Sequence, residues 1–204
     1  MSECNAESLL ALSWDQIRSP GNTNWHSKLK NIYSAIGSDD GKPCKEILSD
    51  LDIFFKKAWE KYISRPEGKL RTYAKIKSRF RYENYLSNIT NPLHRQALCR
   101  LRTSSHPLMI EKGRYTRPIA PVDERKCSSC GVVEDEFHFL ISCQLYSVHR
   151  QEMIATVNSK CINFINLSCQ EKFLFLLSAE GDIARAVAKY SFKAFELRKQ
   201  REID

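Results

Sequence analysis

Apolar residues recur at helical intervals along much of the chain. Ile47, Leu51, Phe54, Ala58 and Tyr62 fall at offsets of four, seven, eleven and fifteen, which is the spacing of one face of an α-helix. The breaker-rich run Gly37-Ser38-Asp39-Asp40-Gly41-Lys42-Pro43 precedes this helix, and Pro66 and Gly68 end it. Ile183, Val187, Tyr190, Ala194 and Leu197 repeat at four, seven, eleven and fourteen. They predict a second helix with a core-facing stripe, fraying into the charged tail 198–204. The run Phe173-Leu-Phe-Leu-Leu177 reads as the heart of a buried helix.

The middle of the chain carries the same period with a different composition. A helix is expected over 69–86, with Leu70, Tyr73, Ile76 and Phe80 on one stripe. Arg71, Lys75 and Arg79 stack at i, i+4 and i+8 on the other side, close to Arg81 and Tyr82. Asn91 and Pro92 open the next helix, burying Leu93, Ala97, Leu98 and Leu101 and leaving His94, Arg95, Arg100 and Arg102 mostly outside. Another helix begins near Trp25, after the turn-forming Ser19-Pro20-Gly21-Asn22. Strand alternation is sparse and no solenoid-length repeat is present, so the expected class is mainly α. The segments divide into a peripheral stretch 1–24, helical 25–68, a basic helix and loop 69–118, a cysteine- and histidine-bearing segment 119–150 and C-terminal helices 151–204. Residues 25–204 are expected to pack as one unit.

Composition narrows the class of protein. With 204 residues, 42% of them hydrophobic, the chain can bury a core without disulfide staples. The longest apolar run is far below the roughly 20 residues that span a bilayer, and Met1-Ser2-Glu3-Cys4 lacks a basic, then apolar, signal sequence. These features predict a soluble intracellular protein, nuclear or cytoplasmic, with no membrane partner. Its eight cysteines are then expected as free thiols or metal ligands.

Charge changes the picture further. The net charge is +8, which favours an anionic partner, most often nucleic acid. Between Lys61 and Lys126 sixteen basic residues face only five acidic ones, so the positive field belongs to the middle of the chain. The stacked Arg71, Lys75 and Arg79 suit a phosphate backbone or, equally simply, a solvated face, because like charges four apart repel by only about 0.2–0.5 kcal/mol. In the irregular stretch after 102, Lys112, Arg114 and Arg117 surround Tyr115. That loop either combines phosphate contacts with stacking on an unpaired base or is an ordered loop whose tyrosine packs on the domain.

One motif carries chemistry. Cys127, Cys130, His138 and Cys143 form C-x2-C-x7-H-x4-C. Three thiolates and an imidazole make a complete tetrahedral set for one zinc ion, with no position open for water, so the site is structural rather than catalytic. Gly131 eases a tight turn after Cys130, and His138 and Cys143 return from the start of a helix. The fold class becomes a helical domain with a small embedded CCHC zinc knuckle. Arg125 and Lys126 are placed to offset the −1 charge of such a site, while Glu134, Asp135 and Glu136 keep this loop away from phosphate. The competing reading is a set of core thiols with a satisfied histidine. His149 is a substitute ligand in reserve, and Cys4, Cys44, Cys99, Cys161 and Cys169 lack paired spacing. No Gly-rich phosphate loop, H-E-x-x-H or G-x-S-x-G is present, so no enzyme is expected.

Several stretches taken together resemble a known family. Gly68-Lys-Leu-Arg-Thr-Tyr73, Tyr82-Glu-Asn-Tyr-Leu86, the run His94 to His106, Ile110-Glu-Lys-Gly-Arg-Tyr115, Glu124-Arg125 and Glu134-Asp-Glu-Phe-His-Phe-Leu140 are similar to the region downstream of the reverse transcriptase domain in non-LTR, LINE-type retrotransposon proteins. The similarity spans roughly Trp25 to Arg198. It implies a zinc-stabilised module that helps a polymerase engage RNA or DNA, with Cys127, Cys130, His138 and Cys143 as the zinc ligands. The polymerase's F/Y-x-D-D motif is missing from this sequence, so reverse transcription does not carry over. The reading is a non-catalytic RNA- or DNA-binding module using Arg71, Lys75, Arg79, Arg81, Arg95, Arg100, Arg102, Lys112, Arg114, Tyr115 and Arg117. The alternatives are a zinc-stabilised protein-interaction scaffold or an inert element remnant.

Overall fold

A computed structural model describes residues 25–37, 42–65 and 68–201. The expected peripheral segment 1–24 and Pro66 lie outside the described residues. The chain falls into two compact units that divide between Glu60 and Lys61. Among the described residues the regular elements are helices and single helical turns, apart from one antiparallel bridge between Lys126 and Val133. No helix among them is long and apolar enough to cross a membrane.

The first unit contains helix α1 (Trp25–Ile36) and most of α2 (Cys44–Ile63). The 47/51/58 positions of the predicted stripe are half-buried. Phe54 and Tyr62, expected on the same face, are exposed, as are Leu48, Ile53 and Phe55. Phe54 and Phe55 meet edge to face.

The second unit is built around the last helix. Its elements are α3 (Arg71–Ile76), α4 (Tyr85–Asn88), α5 (Pro92–Arg102), α6 (Met109–Lys112), α7 (Ser147–Lys160), α8 (Cys169–Ser178) and α9 (Gly181–Arg201). Helix α9 packs against α5, α7 and α8. It buries Val187, Tyr190 and Ala194 of the predicted stripe, together with Ala184, Ala188 and Phe195. Phe173, Leu176 and Leu177 of α8 are buried as expected. A capping box starts α8: the Glu171 amide donates to the Ser168 hydroxyl, and the Ser168 amide donates to the Glu171 carboxylate. Asn91 caps α5 through bonds from the amides of Leu93 and His94, so the predicted start of that helix is where the cap chemistry requires it.

Two expectations fail here for physical reasons. The helix expected over 69–86 is broken: α3 stops at Ile76 and the chain is irregular to α4. Lys77 is 8% exposed, and a buried ammonium needs an anion. It finds the Arg81 carbonyl at 2.6 Å and the Glu83 carboxylate at 2.5 Å, which folds 77–83 back on itself and removes Arg79 from the stripe of Arg71 and Lys75. In α5 the buried positions are Ala97, Leu98, Leu101 and Arg102. Ala97, Leu98 and Leu101 are buried as expected, but Leu93 is exposed while Arg102 turns inward to Glu83 at 3.0 Å and stacks over the Tyr85 ring.

Candidate functional site

The sequence motif closes into one donor set. Ligand atoms of Cys127, Cys130, His138 and Cys143 all lie within 4.8 Å of one another, and the cysteines form no disulfide. The four residues could therefore hold a metal ion.

Local backbone chemistry brings them together. The Gly131 amide donates to the Cys127 carbonyl, the Cys127 amide to that of Val132, and Gly131 has φ +71°. In that left-handed conformation a Cβ is strained, so the C-x2-C-G turn selects glycine. His138 and Cys143 come from a single π-type turn over His138–Ser142, closed by the Cys143 amide donating to the His138 carbonyl at 2.8 Å. On an α-helix residues five apart would be about 140° apart around the axis; the wider i→i+5 turn returns them to the same side. The pair thus comes from a π-turn, where the spacing suggests the start of an ordinary helix.

The chemistry of the donors suits a tetrahedral ion. Sulfurs held about 2.3 Å from zinc at the tetrahedral angle are about 3.8 Å apart; the Cys127–Cys143 and Cys130–Cys143 separations are both 3.8 Å. The Nδ1 of His138 is 3.2 Å from the Ser142 hydroxyl, while its buried Nε2 has no hydrogen-bond partner. A ring fixed through Nδ1 with Nε2 left open has the arrangement a metal-ligating histidine uses. Burial, opposed by Asp135 and Glu134 and aided by Arg150, lowers the pKa of His138, the direction that favours the neutral ring a metal ligand needs. Burial, reinforced by Cys127, pushes the Cys143 thiol up to about 12, whereas a hydrogen bond from the Gln144 backbone lowers that of Cys130. His149 lies outside this donor group, lining a separate cavity of about 340 Å³ between α7 and α9.

The three acids between the ligands fasten the motif to the rest of the unit. The Glu134 carboxylate accepts from the Arg198 guanidinium at 2.8 and 2.9 Å and from the Met109 amide at 2.7 Å. Asp135 accepts from the His138 amide and so starts the turn that carries this ligand. Glu136 is 2% exposed and meets Arg71 at 2.7 Å, His106 at 2.8 Å and the Ser104 hydroxyl at 2.6 Å. Burial opposes its ionisation, but His106, Arg71 and Ser104 outweigh that and hold the carboxyl at about 2. Arg71 also bonds to Glu111. Behind the turn, Arg150 donates to the carbonyls of Leu140, Cys143 and Phe139. The fully buried Phe139 packs on Tyr146, Tyr190 and Phe195 with centroids 4.9–5.5 Å apart.

These contacts revise the roles read from the sequence. Arg125, expected to balance the metal site, is buried and donates instead to the carbonyls of Ala120 and Ile110; its stem packs so tightly on Gly113 that a Cβ there would sit 2.6 Å from it. The cation at the ligand turn is Arg150. Several of the predicted nucleic-acid residues have partners within the fold. Arg71 and Arg102 are engaged with internal carboxylates, and Arg114 lies 3.3 Å from Glu111. Arg95 donates to the Ile89 carbonyl and Arg100 to that of Ser105. Lys75, Arg79, Arg81, Lys112 and Arg117 are exposed, and Tyr115 is 73% exposed rather than packed on the domain. Sequence reasoning missed Ser142, Arg150, His106 and the anchoring role of Glu134 and Glu136. The C-x2-C-x7-H-x4-C pattern identifies the donors but says nothing about what holds them. Compared with family models, with curated proteins and with solved structures, the chain matches none.

Proposed function

We propose that this chain is a non-catalytic, zinc-stabilised module that binds RNA or DNA, of the kind found downstream of the reverse transcriptase in LINE-type retrotransposon proteins. The observation that carries the reading is the closed Cys127, Cys130, His138 and Cys143 donor set within a chain of net charge +8. Four protein donors leave no open coordination position, so the ion fixes structure rather than performing chemistry. Glu134 and Glu136 of the motif face inward to Arg198, Arg71 and His106, which leaves phosphate contact to exposed cations elsewhere, notably Lys75, Arg79, Arg81 and Arg117.

The test is a metal assay joined to a salt titration. The purified chain is expected to carry one zinc, lost in Cys130→Ser together with the order of the ligand turn. Binding to a single strand through about five phosphate contacts gives a slope of log K against log salt near −3.5, at about −0.7 per contact. Stoichiometric zinc without salt-dependent binding to RNA or DNA overturns the nucleic-acid part of the reading. A protein-interaction scaffold is the second reading, favoured by the exposed Leu48, Ile53, Phe55 and Tyr62 of α2.

A further inference from the structure

Where the chain folds back after α3 it encloses a polar cleft of about 260 Å³. Lys77, Arg79, Arg81, Tyr82, Glu83 and Arg102 line it, with Glu180 on a further wall. Its charges do not balance. Lys77 and Arg102 are 8% and 4% exposed, and both turn to the single carboxylate of Glu83, at 2.5 and 3.0 Å. The buried Nε of Arg102 has no hydrogen-bond partner. The face of Tyr85, 4.6 Å from the guanidinium, relieves part of that charge.

Two more cations, Arg79 and Arg81, are exposed along the same cleft. Neither makes a side-chain hydrogen bond or ion pair among the described residues. Glu180 is held by the Asn84 amide at 3.1 and 3.2 Å. Four cations against two carboxylates leave a surplus of two positive charges, half of the cations being desolvated. Such a site concentrates an anion, because desolvated charge without a counter-ion is costly. Beside it the Tyr82 ring is 64% exposed, its hydroxyl tied to Ser87 at 2.8 Å. An exposed ring with a fixed hydroxyl is a stacking platform for an unpaired base.

We infer that this cleft binds one phosphodiester of a single-stranded nucleic acid, with Arg79 and Arg81 on the phosphate and Tyr82 under the adjacent base. The inference rests on the nucleic-acid reading above and locates where the strand is held. Lys77 and Arg102 supply the field from beneath, and the exposed pair supplies the contacts.

The experiment titrates the full metal-loaded chain with labelled 12-nucleotide oligo(U), oligo(dT) and a 12-base-pair duplex DNA at several salt concentrations. Arg79→Ala/Arg81→Ala removes two contacts without touching the core. It is expected to weaken single-strand binding about 25-fold at 0.1 M salt and to make the slope shallower by about 1.4. Tyr82→Ala is expected to weaken it about fivefold or more with the slope unchanged. Circular dichroism melts check that both variants stay folded. Tight wild-type binding that survives Arg79→Ala/Arg81→Ala, with its slope intact, overturns the cleft and leaves the nucleic-acid reading standing. Equal losses on duplex and single strand, with no effect of Tyr82→Ala, overturn the single-strand assignment. A wild-type chain that binds none of the three probes overturns both readings.

Discussion

Replacing Glu136 by glutamine tests how the ligand turn is anchored. Glu136 is buried and ionised, and it joins the donor segment to Arg71, His106 and Ser104, which lie 65, 30 and 32 residues away. Its carboxyl is held at about 2 against an ordinary 4.5. Each tenfold change in proton affinity is worth about 1.36 kcal/mol, so its ionisation contributes about 3 kcal/mol at neutral pH. Breaking a buried pair by removing one partner costs about 3–5 kcal/mol. Arg71 keeps Glu111 as a second carboxylate, which places the expected loss at the lower end, about 3 kcal/mol. For a chain of this length that is a fall in Tm of about 6–12 °C. The assay is urea unfolding at pH 7 of wild type and Glu136→Gln at equal metal loading. A group whose folded pKa is depressed stabilises above its unfolded value and loses that contribution as pH falls through the folded one. The gap between the two proteins should therefore be full at pH 6 and shrink below about pH 5 toward pH 2. A difference under about 1 kcal/mol at pH 7, or a gap that stays constant from pH 6 to pH 3, refutes the reasoning.

Other perturbations probe the same frame. Phe139→Ala removes a fully buried ring beside His138 and is expected to cost about 3–5 kcal/mol, read by chemical unfolding; a loss below about 1 kcal/mol contradicts the packing. Arg150→Met leaves the carbonyls of Leu140 and Cys143 without their donor, which should cost about 1–3 kcal/mol and weaken metal retention in a chelator competition. Unchanged chelator sensitivity would show that Arg150 does not support the ligand turn. Asn91→Ala removes the cap of α5 and should lower stability by about 1 kcal/mol, while Asn91→Asp should retain it.

What the sequence alone determined is local. The helix over Cys44–Ile63, the apolar stripe of α9, the buried heart of α8, the Asn91 cap and the four residues that could hold a metal ion all follow from spacings within about twenty residues. Periodicity and cap chemistry act over that range. Tertiary structure alone decided which charges turn inward. A pattern of basic residues looks the same whether a carboxylate waits inside the fold or water waits outside. Arg71 meets Glu136 from 65 residues away and Arg198 meets Glu134 from 64. Glu136 drew Arg71 out of the expected basic face, Glu83 turned Arg102 inward, and the demand of buried Lys77 for Glu83 ended α3 at Ile76. The same demand left Arg79 and Arg81 exposed along a cleft that no linear spacing could announce, because desolvation acts on charges only after the chain has brought them together.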